Sequence, residues 1–278
     1  MIKRASTWLD RQNILVQLLI IFLFVVFIRT FFVGLYLVPS GSMETTMLVG
    51  ERFFADKLTP YFRPFKRGEI IAFNSPKFEY SKNPLMRFFQ RNFYGPDNWT
   101  KRIIGLPGDQ VRGVVEDGKP VIYVNGKKLD EPYLNKYPLI PLWDRTRGCA
   151  GRITLKSYDP NAELDKQPFY SIDPVDLITD PSKGQMLWPQ TPDIDGKDVF
   201  EVTLGADEYW VMGDNRRGSD DCRSWGHPLK ASEIHGRILF CIWSADTHGG
   251  WLVLDILTHF FTYWTRQVRW SRCLHFVR

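Results

Sequence analysis

The sequence predicts a mainly β protein: an antiparallel β-sheet domain with an inserted, loop-rich β subdomain, preceded by one N-terminal transmembrane helix. Three features of the 278-residue chain lead there. A single long uncharged run lies close to the N-terminus. From Glu51 onward, short stretches of aromatic and β-branched residues are divided by Gly, Pro and Asn, as half-buried strands are. No alternation of strand and helix patterns follows that would suggest a parallel α/β sheet, and no internal repeat is visible.

In residues 1–13, Lys3, Arg4 and Arg11 outweigh Asp10, and Ile14 to Ile28 then carry no charge. Read on through Arg29 and Thr30 to Val38, the run makes a helix of about 25 residues, which at about 1.5 Å per residue spans the hydrocarbon core with some tilt. No small-x-small cleavage pattern precedes Ser40, so the expectation is a retained anchor rather than a removed signal peptide. The basic tail then stays cytoplasmic, and residues 39–278 are exported.

The expected strands are 52–57, 69–73, 99–104, 110–115, 121–124, 208–212 and 237–243, with Asn125-Gly126 marking a hairpin. Residues 74–98 gather Arg87, Phe88, Phe89, Arg91, Phe93 and Tyr94. These could touch lipid headgroups or pack on the β core. Residues 134–200 are rich in Pro and Asp and poorly periodic, the loop-rich part of an inserted subdomain expected over 113–207. Residues 251–264 are apolar but too short for a comfortable second span; with Arg266, Arg269 and Arg272 after them, they read as a membrane-interfacial tail, with a core element or a second membrane helix as the alternatives.

The net charge of +5 is modest and unclustered, and no zinc-finger, homeodomain or RNA-recognition pattern is present, so nucleic acid is not an expected partner. There is no phosphate loop, so no nucleotide is implied. Cys149, Cys222, Cys241 and Cys273 are scattered, without a C-x-x-C pair or an H-E-x-x-H, so no metal or other cofactor is implied. The Gly-x-Ser-x-Gly of an α/β-hydrolase is missing, and all five histidines lie late in the chain.

Two stretches carry chemistry. Val38-Pro39-Ser40-Gly41-Ser42-Met43 follows the apolar run and reads as a tight, exposed turn at the membrane surface, able to present a hydroxyl, though two serines leaving an anchor are as readily linker residues. Thr100 to Asp109 is an apolar strand ended by a Gly/Pro turn, and on it Trp99, Lys101 and Ile103 share one face. A lysine desolvated there would have its pKa lowered to about 7–8, suited to taking a proton from a hydroxyl. A lysine on a strand is otherwise an edge residue that keeps its ammonium in water.

Five boxes occur in order: the anchor, Ser40-Gly41-Ser42-Met43, the run Arg67 to Phe73, the run Lys101 to Asp109, and Gly213-Asp214-Asn215-Arg216, which Ser219 to Gly226 follows. Together they resemble bacterial type I signal peptidase (leader peptidase) over about residues 14–243. The resemblance implies Ser42 as nucleophile, Lys101 as general base, and the Ser42 N–H with the Ser40 hydroxyl as oxyanion donors. It further implies Ser219 orienting the lysine, an Arg102–Asp214 ion pair, and Asp221 and Arg223 as supporting charges. Its substrates would be signal peptides of exported preproteins cut after Ala-x-Ala, with membrane lipid as the second partner. The chain would be a single-pass protein of the bacterial inner (plasma) membrane, its N-terminus cytoplasmic. Thr45 stands where the family has proline, and Cys222 where it has serine. The alternatives are a dedicated peptidase of the same fold for one secretion, conjugation or pilus system, or a non-catalytic membrane-tethered binding domain.

Overall fold

The computed structural model of the chain describes residues 13–44, 46–92, 95, 97–116, 119–134, 142–144, 185–187, 197–216, 218–245, 256–258 and 260–277. Helix α1 (Ile14–Phe31) starts on Asn13, whose Oδ1 accepts a hydrogen bond from Leu15 N at 3.1 Å. That satisfies one of the N–H groups a helix start leaves over. None of its residues is buried in the protein. Among the described residues it is the one helix long and apolar enough to cross a membrane, reaching about 27 Å. It ends at Phe31 rather than at Val38, because residues 33–37 form strand β1 (Val33–Leu37), which pairs with β2 (Glu51–Asp56) from Val33 opposite Asp56 to Leu37 opposite Arg52. An apolar run does not by itself distinguish helix from strand; the partner strand decides. Lys57 Nζ donates to the Arg29 carbonyl at 3.0 Å and satisfies one of the helix's last acceptors.

β1 and β2 share a seven-stranded sheet with β3 (Ile70–Asn74), β4 (Asn98–Gly105), β11 (Glu208–Met212), β12 (Leu229–Lys230) and β13 (Ile234–Ser244). Its order is β1-β2-β13-β3-β4-β11-β12, every pair antiparallel. A second sheet consists of β5 (Gln110–Glu116), β6 (Lys119–Val124), β7 (Lys127–Lys128) and β10 (Phe200–Thr203), in the order β10-β5-β6-β7. These strands lie in sequence between β4 and β11, which are neighbours in the large sheet. β8 (Leu142–Asp144) and β9 (Gln185–Leu187) pair with each other, and the rest of 135–196 lies outside the described residues. Asn125 (φ 50°) and Gly126 (φ 77°) turn β6 into β7, the two positive φ angles that a type I′ hairpin demands.

One apolar core lies under β3, β4 and β11, with Ile71, Phe73, Ile103, Trp210 and Met212, and takes Val111 and Ile122 from the second sheet. A second lies under β2 and β13, and there Met43 and Met47 join Phe53, Ile70, Ala72 and Cys241. The helix Pro84–Asn92 leaves Leu85, Met86, Phe88 and Phe89 exposed, so these side chains are not core anchors. The tail departs from a wholly interfacial segment. Leu257, Phe260 and Phe261 are exposed, but Tyr263, Val268, Arg269 and Arg272 are buried, so at least two of the three arginines of the expected basic flank face inward. Their partners, Glu51 and backbone carbonyls, are distant in sequence, which hid the pairing from a local reading. Cys222, Cys241 and Cys273 are free thiols; Cys149 lies outside the described residues.

Candidate active site

Ser42 lies in the long loop of the β1–β2 hairpin, closed by Val38 N to the Glu51 carbonyl at 2.9 Å and Gly50 N to the Val38 carbonyl at 2.9 Å. Ser40 is extended (φ −138°, ψ 159°), and Gly41–Met43 make one 3₁₀ turn closed by Glu44 N on the Gly41 carbonyl at 3.2 Å. The turn is less exposed than its composition suggests. Met43 and Met47 peg it into the core, leaving Ser42 only 8% accessible while Ser40 stays in solvent. Among the described residues neither the Ser42 N–H nor the Ser40 hydroxyl finds an acceptor, and an N–H at the start of a helical turn has none within the turn.

The Gly213-Asp214-Asn215 segment holds this turn from outside. Asn215 N donates to the Ser42 carbonyl at 3.2 Å and Asn215 Nδ2 to the Gly41 carbonyl at 3.0 Å. Gly213 packs so closely that a Cβ there would overlap the Ser42 carbonyl oxygen and the Ser219 hydroxyl. Gly213→Ala is accordingly expected to displace the Ser42 turn and to cost about 1–3 kcal/mol of stability. Thermal unfolding would measure it, and an equally stable variant would mean the contact yields without consequence.

Lys101 points inward from β4, opposite Ile71 of β3, and is 4% accessible. Its Nζ is 2.9 Å from Ser42 Oγ and 3.1 Å from the Thr100 carbonyl, with the Trp99 ring centroid 5.6 Å away. Burial lowers the lysine pKa from 10.5 to about 8, against the opposing pull of Asp221, Asp220 and Asp214. An amine so placed is about one-tenth neutral at pH 7 and about half neutral at pH 8, and it lies within reach of a hydroxyl proton.

Around this pair the charges are matched. Arg102, next on β4, grips Asp214 with Nε to Oδ1 at 2.8 Å and Nη2 to Oδ2 at 2.6 Å, both side chains 1% accessible, and its guanidinium lies 3.9 Å from the Tyr133 ring centroid. Thr46 Oγ1 donates to Asp214 Oδ2 at 2.5 Å. Asp221 caps the short helix Cys222–Trp225, accepts from Gly213 N at 3.0 Å and pairs with Arg223 Nε at 2.9 Å. Burial raises the Asp221 pKa, but the Arg223 guanidinium and these hydrogen bonds outweigh it and hold the carboxyl below its usual range. Arg223 also reaches Asp198 Oδ1 at 2.7 Å. Cys222 Sγ accepts from Val211 N at 3.3 Å, a buried contact for the residue that departs from the family pattern.

The sequence-predicted residues Ser42, Lys101, Asp214 and Arg102 thus meet at one place, with Ser40 at its solvent edge and Asp221 and Arg223 bracing it. Ser219 lies against Gly213, yet Lys101 Nζ bonds to Ser42 and Thr100 rather than to it. The sequence alone assigns no role to Thr46 or Asn215. Asn215 stands inside the Gly-Asp-Asn-Arg box and was findable there, whereas Thr46 has no sequence signal. Thr45 lies outside the described residues. Among the described residues no cluster of His, Cys, Asp and Glu is arranged to hold a metal ion.

A profile of the family described as signal peptidase, peptidase S26, matches residues 11–243. "Probable signal peptidase I-2" of Synechocystis sp. is 29% identical over 244 residues, covering 88% of this chain and 77% of its own length. "Signal peptidase I P" of Bacillus subtilis subsp. natto is 34% identical over 213 residues, 77% of this chain and 76% of its own. "Signal peptidase I" of Bacillus amyloliquefaciens is 30% identical over 199 residues, 72% and 70% respectively. Since the family match runs unbroken from the anchor through the Ser42 loop and the Lys101 strand to β13, the chain belongs to the peptidase S26 family of signal peptidases and is a serine-protease hydrolase of the bacterial type I kind.

Proposed function

We propose that this chain removes N-terminal signal peptides from exported preproteins with Ser42 as nucleophile and Lys101 as general base. The observation that carries the reading is the 2.9 Å separation between a buried amine of lowered pKa and a serine hydroxyl. Lys101 Nζ takes the Ser42 proton as Oγ attacks the scissile carbonyl, and the Ser42 N–H and the Ser40 hydroxyl receive the oxyanion. Collapse breaks the peptide bond, Lys101 passes its proton to the leaving amine, and the mature protein departs. Water, deprotonated by Lys101, then attacks the acyl-enzyme; the ester bond breaks, Lys101 returns the proton to Ser42 Oγ, and the signal peptide leaves with its new carboxylate. Arg102, Asp214, Asp221 and Arg223 hold the two segments in place, and Ser219 is the candidate for holding the lysine amine between steps.

The substrate binds extended beside the Ser40 and Lys101 segments, and a preference for Ala-x-Ala before the cut follows from the family resemblance. α1 anchors the enzyme with its N-terminus cytoplasmic and the β domain outside, so enzyme and preprotein share one bilayer and meet at raised effective concentration. Leu35 and Leu37, exposed on β1 within a few residues of the anchor, would contact lipid there.

The test is cleavage of an Ala-x-Ala preprotein by detergent-solubilised wild type, Ser42→Ala and Lys101→Met. Cleavage by wild type alone is expected. Cleavage by folded Ser42→Ala would remove Ser42 from its role. A folded wild type inert on this substrate would instead point to a dedicated peptidase with one partner.

A further inference from the structure

The tail beyond β13 lies outside the family match, which ends at residue 243, yet two of its arginines reach the loop that carries Ser42. We propose that the C-terminal segment, residues 256–277, is a positioning element for the nucleophile loop, acting through Arg269 and Arg272. The proposal rests on the reading of Ser42 as nucleophile.

The loop is long, and among its described residues no helix or strand follows the 3₁₀ turn before β2, so its few local hydrogen bonds, such as Met47 N to the Met43 carbonyl at 2.9 Å, are joined by contacts from distant segments in fixing its path. On the catalytic side that is Asn215, with Asp214 and Arg102 meeting Thr46. On the far side it is the tail. Arg272 Nε donates to Glu51 Oε1 at 2.5 Å, and its Nη2 donates both to Glu51 Oε2 at 3.0 Å and to the Thr46 carbonyl at 3.0 Å. Glu51, fully buried, in turn accepts from Leu48 N at 2.8 Å and from Ser244 Oγ at 2.8 Å. Arg269 places both terminal nitrogens on the Val49 carbonyl, at 3.3 and 3.2 Å, and its Nη1 on Ser244 Oγ at 3.2 Å.

Thr46 is the hinge of this arrangement. Its hydroxyl is held by Asp214 and its carbonyl by Arg272, while Met47 N reaches back to the Met43 carbonyl at 2.9 Å, directly after Ser42. The tail can bear the load because it is itself tied to β13. Cys241 N donates to the His275 carbonyl at 2.8 Å, Val277 N to the Leu239 carbonyl at 3.0 Å, and Ala245 bridges Val268. A planar guanidinium is well shaped to join these groups, because its fork satisfies a carboxylate and a carbonyl at fixed angles, which a lysine ammonium does not reproduce.

The experiment measures kcat and KM separately on an Ala-x-Ala preprotein for full-length wild type, Arg272→Lys, Arg269→Met and, as control, Ser42→Ala, with the thermal midpoint of each recorded. Arg272→Lys keeps a cation opposite Glu51 and gives up the fork; Arg269→Met leaves the Glu51–Arg272 pair intact and frees the Val49 carbonyl. The expected result is a fall in kcat of about tenfold or more in each at assay temperatures where the protein is folded, with KM within about twofold of wild type. A purely structural role would lower the midpoint without changing turnover per folded molecule. Folded variants with kcat within about threefold of wild type, or a loss confined to KM, would overturn the proposal. Activity in Ser42→Ala would instead sink the assignment of the nucleophile, so the two failures are told apart.

Discussion

Replacing Lys101 by methionine is expected to remove turnover and, at neutral pH, to make the protein more stable. The two effects share one cause. Lys101 is buried, and the fold lowers its pKa from 10.5 to about 8 because an ammonium there has lost its water. Between those two values the unfolded chain holds more protons than the folded one, so stability rises with pH across roughly 8 to 10.5 and carries the full penalty below about 8. Methionine has a similar shape and nothing to ionise. The gain at pH 7 should be roughly 1–3 kcal/mol, a rise in thermal midpoint of roughly 2–12 °C, and it should have shrunk below about 1 kcal/mol by pH 10. Loss of the base should cost about 10²–10⁴-fold in rate. The wild-type rate at subsaturating substrate should climb through pH 8 as the amine loses its proton. Melting curves at the two pH values and a pH–rate profile measure all of this. An active methionine variant would mean that Lys101 is not the base, and one less stable at pH 7 would mean that the lysine is not held at a penalty.

Asp214→Ala should be the most damaging substitution outside the reacting groups. It would remove the carboxylate that grips the buried Arg102 guanidinium, whose contacts with the Gly68 carbonyl, the Thr46 hydroxyl and the Tyr133 ring are uncharged. Removing one member of a fully buried pair typically costs about 3–5 kcal/mol, most of it the uncompensated charge. For a chain of this size that lowers the thermal midpoint by roughly 6–20 °C. The damage also reaches the site, because Asp214 holds Thr46 and lies between Gly213 and Asn215. The double variant Arg102→Met/Asp214→Leu, which removes both charges, should lose less than the single one. Thermal unfolding of the three proteins decides it: a single variant melting within about 2 °C of wild type would show that water or another group takes the place of the carboxylate.

Much of the sheet was legible from local pattern. The strand expected at 208–212 has those same bounds as β11, and the lysine strand expected at 99–104 is β4, Asn98–Gly105. Strand alternation, the Asn125-Gly126 turn and the Gly/Pro turn after Leu106 are rules about neighbouring residues, so short windows of sequence contain them. Strand β1 was hidden in the apolar run that also forms the anchor. The short β10 and β12 carry too few residues to show a period.

Local pattern alone therefore establishes a β protein on one apolar N-terminal helix, with the serine, lysine and Gly-Asp-Asn-Arg stretches in their order. It took the folded chain to show that Ser42 is buried rather than displayed, that Lys101 Nζ reaches it at 2.9 Å, and that Arg269 and Arg272 turn inward to grip the loop after it. The reason is range. Lys101 lies 59 positions from Ser42, and Arg272 lies 221 from Glu51. A charge or hydroxyl reads as solvated until the fold brings its partner to it.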